Sequence, residues 1–210
     1  MRLPLLPPRS LSAEQRALYD DIMSVVNHSF GSFVAMRQDG TLIGPFNSML
    51  HFPAFGRAAW AFNKTMYEHT TLPNSILQVA VLVTATRVGA RYQIYGHEHL
   101  AESAGLARAK IATIVAGERP VDLTRQEAVA YDVATALNWC APLPETIYQA
   151  GVDAFGERGM AEIIYLVACF HMVGIVLNGY AVPVPGEDDA DESRAAMMQA
   201  APVKQKGDPA

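Results

Sequence analysis

Charged residues are scarce: Asp, Glu, Lys and Arg make up 18% of the 210 residues. The 16 basic ones are never adjacent, and the formal net charge is −5. That leaves no basic patch for nucleic acid and no basic amphipathic helix for an anionic membrane. Only two cysteines occur, Cys140 and Cys169, far apart and in no metal or redox spacing. Cys169 lies in an apolar run and reads as a small core residue, since free cysteine is usually buried and inert. Such thiol usage suits a reducing cytoplasm. HExxH, CxxC, GxGxxG, Walker and GxSxG patterns are all missing, so metalloprotease, nucleotide-binding and serine-hydrolase readings lack support. The longest apolar run, Ile163 to Phe170, is eight residues, against ~20 for a membrane span. Pro4, Pro7 and Pro8 interrupt the start where a signal peptide needs an apolar centre. The expectation is a soluble cytoplasmic protein without metal, nucleic acid or membrane as partner.

Helix signals fill the space these absences leave. Ser12-x-x-Gln15 is a capping box opening a helix to about Asn27, with Leu18, Ile22 and Val25 or Val26 on one face. An irregular connection follows over 28–40. Gly44-Pro45 starts a short helix, and Pro53 a second one to about Glu68 with Phe55, Ala59, Phe62 and Met66 as its apolar face. Ser75-x-x-Gln78 is placed to cap the next helix, which is apolar almost all round and so should be central. Gly89 and Gly105 bound the helix after it, and 107–116 form another short one. Thr124-x-x-Glu127 caps a helix to about Asn138. Beyond Pro142 and Pro144, helices are expected over 145–155 and 160–178. No sustained period-two alternation argues for strands. The sequence predicts an all-α protein with a single compact helical domain over 1–186. An acidic, disordered tail is predicted over 187–210, with Glu187, Asp188, Asp189, Asp191 and Glu192 at its start.

Within this apolar chain, Tyr92, Tyr95, His97 and His99 fall inside eight residues. A cluster of protonatable side chains between apolar segments is what proton-transfer chemistry needs, although packed tyrosines and solvated histidines would give the same pattern. On a helix, His97 lies one turn from Gln93, Ile94, Leu100 and Ala101, whereas Tyr95, His99 and Glu102 share another face. Apolar neighbours lower a histidine's pKa, which favours His97 over His99 as the functional residue. The two histidines point about 200° apart on a helix, which argues against a shared metal ion. His51, between Leu50 and Phe52, and His171, inside a buried helix where it needs a partner, are further candidates.

The succession Pro45-Phe46, Leu50-His51-x-Pro53, Leu77-Gln78-Val79 and Tyr92-Gln93-Ile94-x-x-His97-x-x-x-Ala101-x-x-x-Gly105-Leu106 resembles the carboxymuconolactone decarboxylase-like family. Phe155-Gly156-Glu157 through Val182-Pro183-Val184-Pro185 extends the likeness over about 1–186. The resemblance implies an all-helical protomer that assembles as trimers or hexamers. It also implies decarboxylation of a carboxylated lactone or, in the alkylhydroperoxidase branch, thiol-based peroxide reduction. The thiol branch needs a CxxC pair before the histidine and a glutamate on the preceding helix. The cysteine positions fall on Ala90 and Gln93 here and the glutamate position at or near Gln78, so the peroxidase reading is disfavoured unless Cys140 and Cys169 meet in space. Gln93 and Ile94 also replace the glutamate and tryptophan usual in the middle block.

The expectation is therefore a cofactor-independent lyase or decarboxylase acting on a small cyclic or aromatic-derived carbonyl or lactone. His97 would be the acid/base, with Tyr92 or Tyr95 donating to a developing oxyanion. His51, Gln78, Gln93 and His171 would complete the pocket. A proton-transfer isomerase or dehydratase fits the same residues. A non-catalytic ligand-binding oligomer is the rival from another class.

Overall fold

The computed structural model describes residues 1–29 and 33–186; the predicted tail over 187–210 and part of the predicted connection over 28–40 lie outside them. Eight α-helices and no extended strand occur among the described residues. They are α1 (Ala13–Ser29), α2 (Pro45–His51), α3 (Pro53–Glu68), α4 (Asn74–Val88), α5 (Arg91–Ser103), α6 (Arg108–Val115), α7 (Arg125–Leu137) and α8 (Glu145–Gly179). A lone bridge joins Met36 and Leu42 in the α1–α2 connection.

The chain starts its helices where local chemistry supplies partners for the first N–H groups. Ser12 and Gln15 form the reciprocal cap of α1, with bonds of 2.9 and 3.3 Å. Thr124 and Glu127 do the same for α7. Prolines take the first position of α2 and α3, where a missing N–H costs nothing. The predicted cap at Ser75 is not formed. Helix α4 begins one residue earlier, after Pro73, and the Gln78 amide is engaged elsewhere, as described below.

Helix α4 is the axis of the fold. Every residue from Ile76 to Ala85 is buried, with α7 and α8 packed on it and α5 and α6 alongside. Helix α8 meets the length and hydropathy of a membrane-crossing helix, but half of its apolar window is buried inside the fold. That is the packing of a core helix. Gly156 (φ 71°, ψ 170°) breaks it into the two segments expected from the sequence, a conformation open mainly to glycine.

A second apolar cluster joins α1, α2 and α3 through Leu18, Ile22, Leu42, Leu50 and Trp60. Burying a side chain such as Ile22 contributes about 1.5–3 kcal/mol. The Trp60 indole N–H donates to Asp21 at 2.8 Å, and Lys64 pairs with the other Asp21 oxygen. Here the expected face of α3 is corrected. Its inward stripe is Gly56, Trp60 and Asn63, while Phe55 is 80% exposed and Phe62 and Met66 are only partly buried. Trp60 carries more apolar area than any rival on the helix and decides its rotation.

Two features position the region around α5. Gly44 (φ 67°) lies under the Tyr92 ring, where a Cβ would stand 2.3 Å from Cε1. The first residues of the chain cross the end of α8: Arg2 N–H donates to Tyr180 O at 2.9 Å and its guanidinium to Gly179 O. Asn47 and His51 then hold the backbone of Pro4 and Leu6.

Candidate active site

Helix α5 lies against α4 and the C-terminal half of α8, and its buried face carries Tyr92, Gln93, Gly96 and His97. His97 is 7% exposed. Its Nδ1 is 2.8 Å from Gln78 Oε1, and Gln78 Nε2 donates to Asn74 Oδ1 at 3.0 Å, one turn back along α4. The donation to Asn74 turns the Gln78 oxygen toward His97, and an oxygen there requires Nδ1 to carry the proton. The other ring nitrogen, Nε2, then offers a lone pair. It has no hydrogen-bond partner among the described residues. Burial pushes the His97 pKa down to about 3, so the imidazole is neutral at ordinary pH. The Phe170 ring meets it edge-on at 4.8 Å.

His97 opens onto a cavity of about 40 Å³ between α2, α3, α5 and α8, room for about three waters where one needs roughly 10–15 Å³. Its walls include Phe33, Phe46, Met49, Phe170, Val173 and Leu177, and its polar groups come from Asn63, Tyr67, Tyr92, Gln93 and His97. Among the described residues that line it, none is acidic, Lys or Arg. Gln93 is 3% exposed, and neither its amide nitrogen nor its amide oxygen has a partner. Such a buried orphan costs ~1–3 kcal/mol per polar group. Beside the cavity, Asn63 Nδ2 donates to Cys169 Sγ at 3.7 Å. Desolvation pushes the Cys169 thiol up to about 11, so it stays protonated and a poor nucleophile.

Of the residues singled out in the sequence, His97, Gln93 and Tyr92 line this cavity, and Gln78 stands behind His97. Tyr92 gives its proton to Val34 O at 2.9 Å, and its pKa is raised, by burial first and by Tyr95 second. Tyr95 does not line the cavity. Its oxygen accepts from Val34 N–H at 3.2 Å, and its ring packs against Phe33 and His99. Together the two tyrosines clamp one backbone unit: Tyr92 has committed its proton to Val34 O, and Tyr95, which keeps its own, stands outside the cavity.

His51 and His171 also stand apart from the cavity. His51 Nε2–H donates to Pro4 O at 2.7 Å. His171 Nδ1 lies 3.3 Å from Asn138 Oδ1, and Asn138 is itself bonded to Thr84 and Ala134. Both cysteines are free: Cys140 is exposed after α7 and Cys169 is buried in α8. No cluster of metal-ligating side chains occurs among the described residues. Sequence reasoning missed Asn63 and Tyr67. Their spacing of four on α3, one turn beyond Trp60, was the available signal.

No protein-family model and no curated protein sequence matches the chain. Solved structures do. An alkylhydroperoxidase AhpD core protein from Ralstonia eutropha JMP134, a peroxidase-related protein, superposes with TM-score 0.70 at 16% identity. That match covers 89% of this chain and 93% of the other. A cysteine-to-alanine variant of the debrominase Bmp8, in complex with 2,3,4-tribromopyrrole, gives TM-score 0.68 at 13% identity over 92% and 96% of the two chains. A putative antioxidant defence protein AhpD from Agrobacterium tumefaciens gives 0.61 at 15% identity, over 66% and 96%. The fold is that of the alkylhydroperoxidase-like proteins. Within the alkylhydroperoxidase-like fold, Ala90 and Gln93 stand where the resemblance puts a cysteine pair, and Gln78 where it puts an acid. The hydrogen bond between His97 and Gln78 joins the histidine to the last of these positions.

Proposed function

We propose that the chain is a cofactor-independent enzyme that moves a proton on a small, uncharged carbonyl compound, with His97 as the acid/base. The observation that carries this is a neutral imidazole, tied at Nδ1 to Gln78, whose Nε2 lone pair has no protein partner. Nε2 takes a proton from the carbon beside the substrate carbonyl, leaving an enolate. The Gln93 amide N–H supplies a hydrogen bond to the enolate oxygen. The imidazolium, costly alone in this apolar setting, forms only together with the enolate as an ion pair. It then returns the proton to another carbon, an isomerisation, or to a departing hydroxyl, a dehydration. Decarboxylation is less favoured, because no Lys or Arg among the described residues lines the cavity to offset a buried carboxylate. The debrominase variant bound to 2,3,4-tribromopyrrole is support from a fold relative that a compact ring can be held in this scaffold.

Assembly as trimers or hexamers belongs to the same proposal. Phe52, Phe55, Tyr165 and Ile175 are exposed apolar residues of the kind such contacts use.

Deuterium uptake from D₂O into small cyclic ketones, lactones and enones, followed by NMR, tests the chemistry. The His97→Asn variant should exchange ~10²-fold or more slowly. Equal exchange in a folded variant would remove His97 from the role.

A further inference from the structure

The residue least explained by folding is Gln93. Among the described residues, buried side-chain polar atoms without partners are the hydroxyls of Thr41, Thr86 and Thr135 and both amide atoms of Gln93. Gln93 alone in that set faces the cavity beside His97, and it carries its unpaired donor and its unpaired acceptor on two separate atoms. The fold has no use for an amide there. A leucine of similar size would fill the same space without burying two unmet hydrogen-bonding groups. Gly174 of α8 lies beside Gln93: a Cβ there would meet the amide oxygen at 3.4 Å, an ordinary contact, and would crowd Val88 at 2.9 Å. Exchanging the amide oxygen and nitrogen by rotation leaves the argument unchanged, because neither atom has a partner.

We infer that the cavity selects an uncharged ligand presenting an N–H donor and a carbonyl acceptor side by side, as a lactam does, and that Gln93 reads this pair. The Gln93 amide N–H donates to the ligand carbonyl, and its amide oxygen accepts from the ligand N–H. This cyclic pair of hydrogen bonds meets both orphaned groups at once. A ketone meets only one of them. A carboxylate brings a charge that none of the described lining residues offsets. The cavity shares Pro45, Met49 and Val173 with a larger apolar groove of about 330 Å³ over α2, α3 and α8. The polar end of the ligand therefore sits inside, and an apolar substituent extends outward past Met49.

The inference rests on His97 and Gln93 sharing the site, not on the reaction proposed there. The test is an NMR shift titration of the full chain with 2-pyrrolidinone, cyclopentanone and cyclopentanecarboxylate. The lactam is expected to bind ~10-fold or more tightly than the ketone, with the carboxylate weakest. In Gln93→Leu the lactam should fall to the affinity of the ketone. Equal affinities in the unaltered chain, a lactam preference that survives in Gln93→Leu, or no lactam binding at all would each overturn the inference. The last result would mean that water alone satisfies the amide. Lactam preference without deuterium exchange on any carbonyl substrate would defeat the proton-transfer proposal and uphold this one. Exchange without lactam preference would do the reverse.

Discussion

At His97 the cost of burial becomes a property that can be titrated. The folded pKa is about 3, against 6.5 for an unperturbed histidine. Between those values the unfolded chain binds one more proton than the folded one at this residue. Its contribution to stability is therefore complete above about 6.5 and is lost as the pH falls toward 3, with a slope of about 1.4 kcal/mol per pH unit. Denaturant titrations from pH 7 to pH 4 should show that slope, and His97→Asn should flatten it. Gln78→Glu acts in the opposite sense. A carboxylate facing Nδ1–H favours the charged ring and should raise the His97 pKa by about one to three pH units. The ring-proton NMR signals of His97 report it directly, and an unmoved midpoint would contradict the hydrogen bond. The sequence disclosed His97 because apolar neighbours on its own helix were visible. Gln93 could not be weighed in the same way, since its lack of a partner depends on α8, some eighty residues further along.

Helix ends were easier to read than helix faces. Ser12 with Gln15 and Thr124 with Glu127 satisfy the first N–H groups by chemistry confined to four residues, so spacing alone reveals them. Thr124→Ala should cost about 1 kcal/mol, measured by denaturant unfolding. The α3 face was misread because its buried stripe contains Asn63. A polar residue facing inward hides the true stripe from a count of apolar spacings, and its reason for facing inward, Cys169 and the cavity, belongs to another helix. The capping box proposed at Ser75 failed for a related cause: the Gln78 oxygen that would accept from the Ser75 N–H faces His97 instead. Gly44 gives an element-level test of how α2 meets α5. Gly44→Ala forces a methyl into the Tyr92 ring at a left-handed backbone position. Strain at such a position costs of order 1–3 kcal/mol before the clash is counted, so a clear fall in melting temperature is expected. Val34 should lose its hold on the Tyr92 hydroxyl at the same time.

Across the whole molecule, the all-helical architecture followed from punctuation by proline and glycine and from one helix apolar on every side. The centrality of α4 is the clearest case, since a helix with no polar face has nowhere to go but the middle. The assembly is not encoded in that way, because an exposed Phe55 is compatible with a monomer or with a contact between copies. Light scattering on the purified chain should give three or six times the 22.8 kDa of one protomer. Phe55→Asp should then lower that mass without lowering helix content by circular dichroism. A monomer at all concentrations would end the oligomer proposal.

The segment that crosses the end of α8 also has a bearing on the order of events during synthesis. Arg2 finds its acceptors at Gly179 and Tyr180, so a residue made long before α8 is seated only after it. Before α8 emerges, Asn47, His51 and the packing of Leu6 on α1–α3 hold that segment, but Arg2 lacks both of its acceptors. A nascent chain halted before residue 179 should leave the bond after Arg2 open to trypsin, and synthesis through Tyr180 should protect it.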